Sequence, residues 1–238
     1  TPIGMPSLCV YALQKLTLLD YPGKVACTVF LAGCNFRCPF CHNASLVTHI
    51  DAETGIPKEE VLSFLKKRSG VLDGVCVTGG EPLLASDLAT FIREIKKMGY
   101  KVKLDTNGSH TEKLKHLIEA GLIDYVAMDI KNAPGKYAMA IGLSDYDPAN
   151  VMESAAYLMA GDIPYEFRTT EVREFHKRED FEEIGRWLKG ASRYFLQGFV
   201  NSGDLIQPGL RGYTKDIMEQ ALAIVKKYIP AAELRGVD

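Results

Sequence analysis

A short apolar stretch followed by an amphipathic helix recurs along most of this chain. Five such stretches follow one another at 74–78, 101–105, 125–130, 165–169 and 193–199. This alternation is typical of βαβ units, in which helical crossovers join parallel strands. The apolar run 25–32 brings the count to six strands, fewer than the eight of a closed barrel. The sequence therefore predicts an α/β fold, a partial (β/α)6 barrel of the TIM type.

Start and stop signals delimit the helices between these strands. Ser86 and Thr111 are predicted to cap helices that end at Gly99 and Gly121, and Asp147-Pro148 opens one that ends at Gly161. Further helices are predicted at 42–47, 57–68, 180–189 and 214–228, and 132–147 is predicted to be a loop. Before the first helix, 8–16 and 25–32 read as an N-terminal hairpin with its turn at Asp20-Tyr21-Pro22-Gly23. Nothing resembles a linker, so residues 1–238 are expected to form one domain.

Composition excludes several classes of function. The 28 basic and 30 acidic residues are nearly balanced and form no dense basic stripe, which disfavours binding to nucleic acid. No segment approaches the roughly 18 apolar residues of a membrane span. Residues 1–11 lack the pattern of a signal peptide. We therefore expect a soluble cytoplasmic protein whose cysteines are reduced thiols or metal ligands.

Three cysteines form a C-x3-C-x2-C array, Cys34, Cys38 and Cys41, directly after the run 25–32. An iron–sulfur cubane usually takes four cysteine ligands, so three would leave one iron open. The pair Cys38 and Cys41 alone would equally suit half of a zinc site or a redox dithiol. The lack of a second pair makes zinc less favoured, and His42 is too close to Cys41 for good tetrahedral geometry. The other cysteines, Cys9, Cys27 and Cys76, lie in apolar runs and are expected in the core.

Polar residues collect just after the carboxyl ends of the predicted strands. They are the three cysteines, then Gly79-Gly80-Glu81-Pro82, Asp105-Thr106-Asn107-Gly108, Asp129 with Lys131, Arg168 with Thr170, and Gln197. Barrel enzymes build their active sites at that rim, so one site is expected. Each feature also has a plainer explanation. The glycine pair and the Asp-Thr-Asn-Gly segment could be ordinary turns, and Lys131 could form a simple salt bridge with Asp129.

The cysteine array together with Gly79-Gly80-Glu81-Pro82 resembles the radical S-adenosylmethionine (SAM) superfamily. Cys41-His42-Asn43 is similar to the glycyl-radical-enzyme activases of that superfamily. The segments Asp20 to Gly23, Asp105 to Gly108 and Met128-Asp129-Ile130-Lys131 resemble, in order and context, the longer activating proteins of anaerobic ribonucleoside-triphosphate reductase. The similarity extends from Leu16 to about Gly198. Tyr21 stands where pyruvate formate-lyase activases usually have glycine.

The resemblance implies a reaction and its cofactors. Cys34, Cys38 and Cys41 would hold a [4Fe-4S] cluster whose open iron binds SAM. Reductive cleavage of SAM, with an electron from a donor such as flavodoxin or ferredoxin, would give a 5′-deoxyadenosyl radical. That radical would take a hydrogen atom from a glycine of the partner, anaerobic ribonucleotide reductase. The protein's own part would be placement and shielding.

The resemblance also assigns residues to roles. The methionine amino group would be surrounded by Gly79, Gly80, Glu81 and Asp129, and the methionine carboxylate would be neutralised by Lys131. The adenine would be bordered by His42 and Asn43, and Gln197 is a candidate contact for the adenosine. Asp105 would lie near the ribose or, with Thr106, Met128 and Asp129, near a monovalent cation. Asp20 and Arg168 would contact the partner's glycyl loop. Two alternatives stay open: activation of another glycyl-radical enzyme such as pyruvate formate-lyase, and a non-catalytic iron–sulfur or zinc protein.

Overall fold

The structure of the chain is a computed structural model that describes residues 5–48 and 53–237. The chain packs as two compact units. Unit 1 comprises 1–35, 45–106 and 112–126, and unit 2 comprises 36–44, 107–111 and 127–238. Among the described residues, no helix is both long enough and apolar enough to span a bilayer.

Eight strands lie in chain order across the sheet. Their bounds are β1 Val10–Thr17, β2 Ala26–Leu31, β3 Gly74–Gly79, β4 Lys101–Thr106, β5 Tyr125–Asp129, β6 Tyr165–Glu171, β7 Tyr194–Gly198 and β8 Glu233–Arg235. The helices are α1 Ala44–Thr48, α2 Lys58–Lys67, α3 Leu88–Lys97, α4 Thr111–Glu119, α5 Tyr137–Ala140, α6 Ala149–Ala160, α7 Arg178–Trp187 and α8 Lys215–Lys226. Strands β2 to β7 are the six predicted from the sequence.

In unit 1, β1 pairs antiparallel with β2, and β2, β3 and β4 pair in parallel. This confirms the N-terminal hairpin, whose turn is closed by the bond from the Lys24 N–H to the Tyr21 carbonyl (3.1 Å). Tyr21 is buried against Ala26 and Tyr125. Helix α3 buries Leu88, Phe91, Ile92 and Ile95 on one face. Each such side chain contributes roughly 1.5–3 kcal/mol, which explains why the three-and-four spacing predicted this helix well.

In unit 2, β6, β7 and β8 pair in parallel. Strand β8 was not predicted, because its three residues, Glu233–Arg235, carry no alternating pattern and depend on pairing with Phe195 to Gln197. The predicted loop 132–147 contains a 3₁₀ turn, Pro134–Lys136, and helix α5. A four-residue helix is too short for periodicity to reveal.

Two local expectations were wrong. The N-cap of α3 is Asp87 and not Ser86, and its carboxylate accepts from the Leu8 N–H (2.7 Å) instead of capping its own helix. Cys9 is only half-buried, whereas Cys27 and Cys76 are fully buried as expected. Cys9 belongs to the segment preceding β1, where its carbonyl accepts from the Ala32 N–H (2.9 Å).

Candidate active site

The cysteine array begins in unit 1 and continues in unit 2. Gly33, with a φ of 98°, lies between the end of β2 and Cys34, and its N–H donates to the Leu46 carbonyl (2.8 Å). Beyond it, the Cys41 N–H donates to the Cys38 carbonyl (3.0 Å), which closes a turn between these two thiols. No disulfide joins the six cysteines, all of which lie in the described residues. The array is thus chemically available for metal binding.

The loop that carries Cys38 and Cys41 is anchored through its backbone. The Arg37 N–H donates to the Ile141 carbonyl (2.8 Å), and the Gln207 N–H donates to the Pro39 carbonyl (3.0 Å). Gly142 lies so close that a Cβ there would stand 2.0 Å from the Arg37 carbonyl oxygen. Only glycine fits that approach without moving the loop.

Lys131, Asp129 and Arg168 form a charged group in unit 2. The Asp129 carboxylate lies 3.4 Å from the Lys131 Nζ through Oδ2 and 3.1 Å from the Arg168 Nε through Oδ1. Burial would lower the pKa of Lys131, but Asp129 and the thiols of Cys38 and Cys41 together raise it above its ordinary value. Lys131 is therefore a fixed positive charge beside two cysteines of the array.

The same charge acts on its neighbours. Burial raises the pKa of the Cys38 thiol, and the nearby Lys131 partly offsets that rise. Burial and Lys131 both lower the pKa of His42, which is therefore neutral at pH 7. The His42 ring stacks on Phe199, with 5.4 Å between centroids and 27° between planes. Phe199 lies just beyond the last residue matched by the resemblance, so its stacking role had no sequence signal.

The other predicted cofactor residue of this loop, Asn43, is exposed in the turn before α1. Met128 is fully buried in β5, and its side chain packs against Gly108, where a Cβ would lie 2.3 Å from the Met128 Cε. The φ of 76° at position 108 favours glycine, whereas the Met128 methyl is the end of a flexible side chain that could move away from a Cβ.

In unit 1 the glycine pair brings the end of β3 against the end of β2. A Cβ on Gly79 would stand 2.1 Å from the Leu31 carbonyl oxygen, and one on Gly80 would stand 2.2 Å from that of Gly33. The Glu81 N–H donates to the same Gly33 carbonyl (2.8 Å). The pair is therefore no ordinary turn: it lets the backbone before Cys34 lie directly against the Gly-Gly-Glu segment.

Glu81 and Thr106 are linked through their side chains. The buried Glu81 carboxylate accepts from the Thr106 hydroxyl (2.8 Å) and from the Leu83 N–H (3.2 Å) through the same oxygen, Oε1. The second bond caps the 3₁₀ turn Pro82–Leu84. This carboxylate thereby connects the ends of β3 and β4, two strands whose polar ends the sequence predicted to share a site.

Asp105 has a partner that the sequence analysis missed. The Lys103 ammonium, 2% exposed, lies 2.7 Å from its Oδ1, and the Cys76 Sγ lies 3.7 Å from its Oδ2. Alternation along β4 places residues 103 and 105 on one face, which was the available signal. The carboxylate named for a monovalent cation therefore has a buried ammonium beside it.

Asp20 lies in the hairpin turn with its side chain held in place. Its Oδ2 accepts from the Thr28 hydroxyl (2.5 Å), and its N–H donates to the Thr17 hydroxyl (3.2 Å). The two residues before it, Leu18 and Leu19, are 69% and 89% exposed. Asp20 therefore carries a fixed carboxylate next to two exposed leucines along the chain.

Within the described residues, no group of three or more His, Cys, Asp and Glu side chains is arranged as a ready-made metal site. The ligand assignment of Cys34, Cys38 and Cys41 thus stays a prediction from their spacing. The donor set nevertheless fits an iron–sulfur cluster, because three thiols lie within eight residues of one loop and a cation, Lys131, stands near two of them.

Comparison with known proteins assigns the class. A family model described as the radical SAM superfamily matches residues 28–194, more than half of the 238-residue chain. The chain belongs to the radical SAM superfamily. Membership implies a [4Fe-4S] cluster and SAM.

A relative narrows the assignment. The chain is 33% identical over 238 residues, 96% of each sequence, to the putative glycyl-radical enzyme activating enzyme MJ1227 of Methanocaldococcus jannaschii, so it is an enzyme of that activating family. It is also 29% identical over 167 residues, 65% of each sequence, to the pyruvate formate-lyase-activating enzyme of Listeria monocytogenes.

A solved structure confirms the predicted fold class. Streptococcus suis SuiB bound to S-adenosylmethionine superposes with a TM-score of 0.68 at 14% identity, over 86% of this chain and 48% of SuiB. The chain thus spans about half the length of SuiB, and at this identity the likeness concerns the fold alone.

Proposed function

We propose that residues 1–238 act as one cytoplasmic radical SAM domain that installs a glycyl radical on anaerobic ribonucleoside-triphosphate reductase. The observation that carries the site chemistry is the charged group of Lys131, Asp129 and Arg168, whose lysine interacts electrostatically with Cys38 and Cys41 of the same compact unit. A fixed cation beside predicted cluster ligands is what a substrate that binds the cluster through its carboxylate needs. The protein's contribution is to position and shield.

Each residue then has a defined task. Cys34, Cys38 and Cys41 would hold the cluster, which when bound supplies the electron for reductive cleavage of the SAM sulfonium. Lys131 would neutralise the methionine carboxylate, and Asp129 would orient Lys131 through their 3.4 Å contact. A carboxylate–ammonium contact of this kind is strengthened where water is partly excluded.

The remaining assignments follow the same logic. The close approach at Gly79 and Gly80 holds the Gly-Gly-Glu backbone against the segment before Cys34, and there it would face the methionine amino group. His42 and Asn43 would border the adenine, with the His42 ring held by stacking on Phe199. Asp105 and Thr106 would approach the ribose, and a flavodoxin or ferredoxin would donate the electron.

Two features support the reductase as partner. The turn Asp20 to Gly23 carries Tyr21, whose buried ring packs against Gly74: a Cβ on Gly74 would stand 2.9 Å from that ring. Tyr21 stands where pyruvate formate-lyase activases usually have glycine. Asp20 beside exposed Leu18 and Leu19 would meet the partner's glycyl loop together with Arg168.

The experiment has two stages. The protein is reconstituted anaerobically with iron and sulfide, reduced with dithionite and given SAM, and 5′-deoxyadenosine is measured. We expect product from the wild type and from Cys27→Ala, and none from Cys38→Ala. Zinc in place of iron, with no product, would refute the enzyme assignment and favour a scaffold protein.

In the second stage the loaded protein is mixed with purified anaerobic ribonucleotide reductase or with pyruvate formate-lyase. A glycyl doublet in the electron paramagnetic resonance spectrum is expected with the reductase. A doublet with pyruvate formate-lyase alone would instead establish the second candidate, which the Listeria relative favours.

A further inference from the structure

The main chain around Lys131 is held by two side chains with no assigned role, Tyr137 and His176. The Lys131 N–H donates to the Tyr137 hydroxyl (3.0 Å), which in turn donates to the Asp129 carbonyl (3.4 Å). On the other side, the Lys131 carbonyl lies 2.7 Å from the His176 Nε2. Both polar groups of the Lys131 backbone therefore end on buried side chains.

The partners of His176 define its tautomer. Its Nδ1 lies 2.9 Å from the Val172 nitrogen and 3.3 Å from the Val172 carbonyl oxygen. The shorter contact, in which the backbone N–H donates, assigns an Nδ1 without a proton. The proton is then on Nε2, which donates to the Lys131 carbonyl. Burial lowers the pKa of His176, which agrees with this neutral form. The ring thus connects the turn after β6 to the segment after β5.

The same turn also contacts the cysteine loop. The Phe40 ring, between Cys38 and Cys41, lies 5.9 Å from the His176 ring and 5.5 Å from the Phe175 ring. The Phe175 carbonyl in addition accepts from the Asn132 side chain (3.0 Å). One short turn therefore touches both the predicted SAM-carboxylate residue and the loop that carries two predicted cluster ligands.

We propose that His176 is a positioning residue that sets the place of Lys131 relative to Cys38 and Cys41, an inference that rests on the proposed function of Lys131 as the contact for the SAM carboxylate. It does so through the Nε2 hydrogen bond to the Lys131 carbonyl and through ring packing on Phe40. The histidine touches neither cluster nor substrate in this scheme. Its effect on SAM passes through the Lys131 backbone.

Three substitutions separate hydrogen bonding from packing. His176→Phe keeps an aromatic ring against Phe40 but removes both hydrogen bonds. His176→Gln keeps a donor nitrogen at the position of Nε2, whereas His176→Asn keeps a polar atom only near the position of Nδ1. Val225→Ala, in the buried face of α8, is the matched control for a general loss of stability.

Two measurements follow. In the apo proteins, hydrogen exchange of amides 130–133 should be at least about tenfold faster in His176→Phe and His176→Asn than in Val225→Ala or His176→Gln. In the reconstituted proteins, the Kd for SAM should rise about tenfold in His176→Phe and His176→Asn and about twofold or less in the other two.

The outcomes are distinct. If His176→Phe loses stability as Val225→Ala does but keeps the exchange pattern and the SAM affinity of the wild type, the histidine only packs and the proposal is wrong. If wild-type protein does not bind SAM, the proposed function fails. Faster exchange in His176→Phe would then still support the positioning of the Lys131 backbone, and unchanged exchange would overturn it.

Discussion

Replacing Gly80 with alanine is the sharpest test of how the strand ends meet. The new Cβ would stand 2.2 Å from the Gly33 carbonyl oxygen and 3.1 Å from the Cys34 Cβ, and ordinary contact starts at 3.4 Å. The backbone must therefore shift by roughly 1 Å, at an overpacking cost of about 1–3 kcal/mol. The shift also strains the hydrogen bond from the Glu81 N–H to the same carbonyl, worth about 1 kcal/mol.

The costs in the folded state are partly offset by an effect on the unfolded chain. Alanine restricts the unfolded chain and returns about 0.4–1 kcal/mol. We therefore expect the free energy of unfolding of Gly80→Ala to fall by about 1–3 kcal/mol. Gly135→Ala is the matched control, because within the described part of the chain no atom beyond its two neighbours lies within 4 Å of a Cβ there, and its φ is not positive. That variant should be as stable as the wild type or slightly more stable.

The assay is urea unfolding of the apo proteins under reducing, anaerobic conditions, followed by circular dichroism. Equal slopes against urea are required so that the midpoints report stability. SAM affinity of the reconstituted variants gives a second readout, in which only Gly80→Ala should weaken binding. A Gly80→Ala protein within about 0.5 kcal/mol of Gly135→Ala would show that the strand ends do not approach as described.

Three further predictions concern single side chains. Cys38→Ala should retain little iron and sulfide after reconstitution, whereas Cys27→Ala should load normally and lose about 1 kcal/mol of stability from its small cavity, as metal analysis and unfolding will show. Lys103→Met should cost about 3–5 kcal/mol, because it leaves the Asp105 carboxylate without its buried ammonium. Adding Asp105→Asn should recover most of that loss in urea unfolding, and a stable single variant would contradict the pairing. Burial raises the pKa of Glu171 to about 7, so the stabilisation from its bound proton is complete below pH 4.5 and is lost as the pH rises through 7. Between pH 4.5 and pH 7, this group alone should lower the free energy of unfolding by about 3 kcal/mol. Glu171→Gln should remove this pH dependence, and the exposed control Glu179→Gln should keep it.

The features predicted well from the sequence are those whose cause is local. The alternation that defines β2 to β7 and the amphipathic spacing of α3 depend on neighbours within a few residues. The polar residues after each strand were grouped because a parallel strand delivers its carboxyl end to a common edge, and their shared site stays a prediction. Glycine at 79 and 80 indicated a close approach, although the sequence could not identify Leu31 and Gly33 as the atoms approached.

The features that were missed depend on pairing over long distances. The contact between the Lys103 ammonium and the Cys76 thiol exists only because β3 pairs with β4. Strand β8 forms through its parallel backbone pairing with β7. The Asp87 carboxylate accepts from the Leu8 N–H, 79 residues away along the chain. The partners of β8 and of Asp87 lie outside any local window, so no periodic pattern indicates them.

The segment around Lys131 combines a feature that the sequence predicts with features that only the fold reveals. A backbone that leaves the end of a strand loses its ladder partners, and buried polar groups must find others. Lys131 could be predicted because a charged residue there follows an apolar run. Its N–H donates to the Tyr137 hydroxyl, 6 residues further along the chain, and its carbonyl accepts from the His176 ring, 45 residues further along. The sequence therefore predicts which side chain would face the ligand, and only the fold shows what holds its backbone in place.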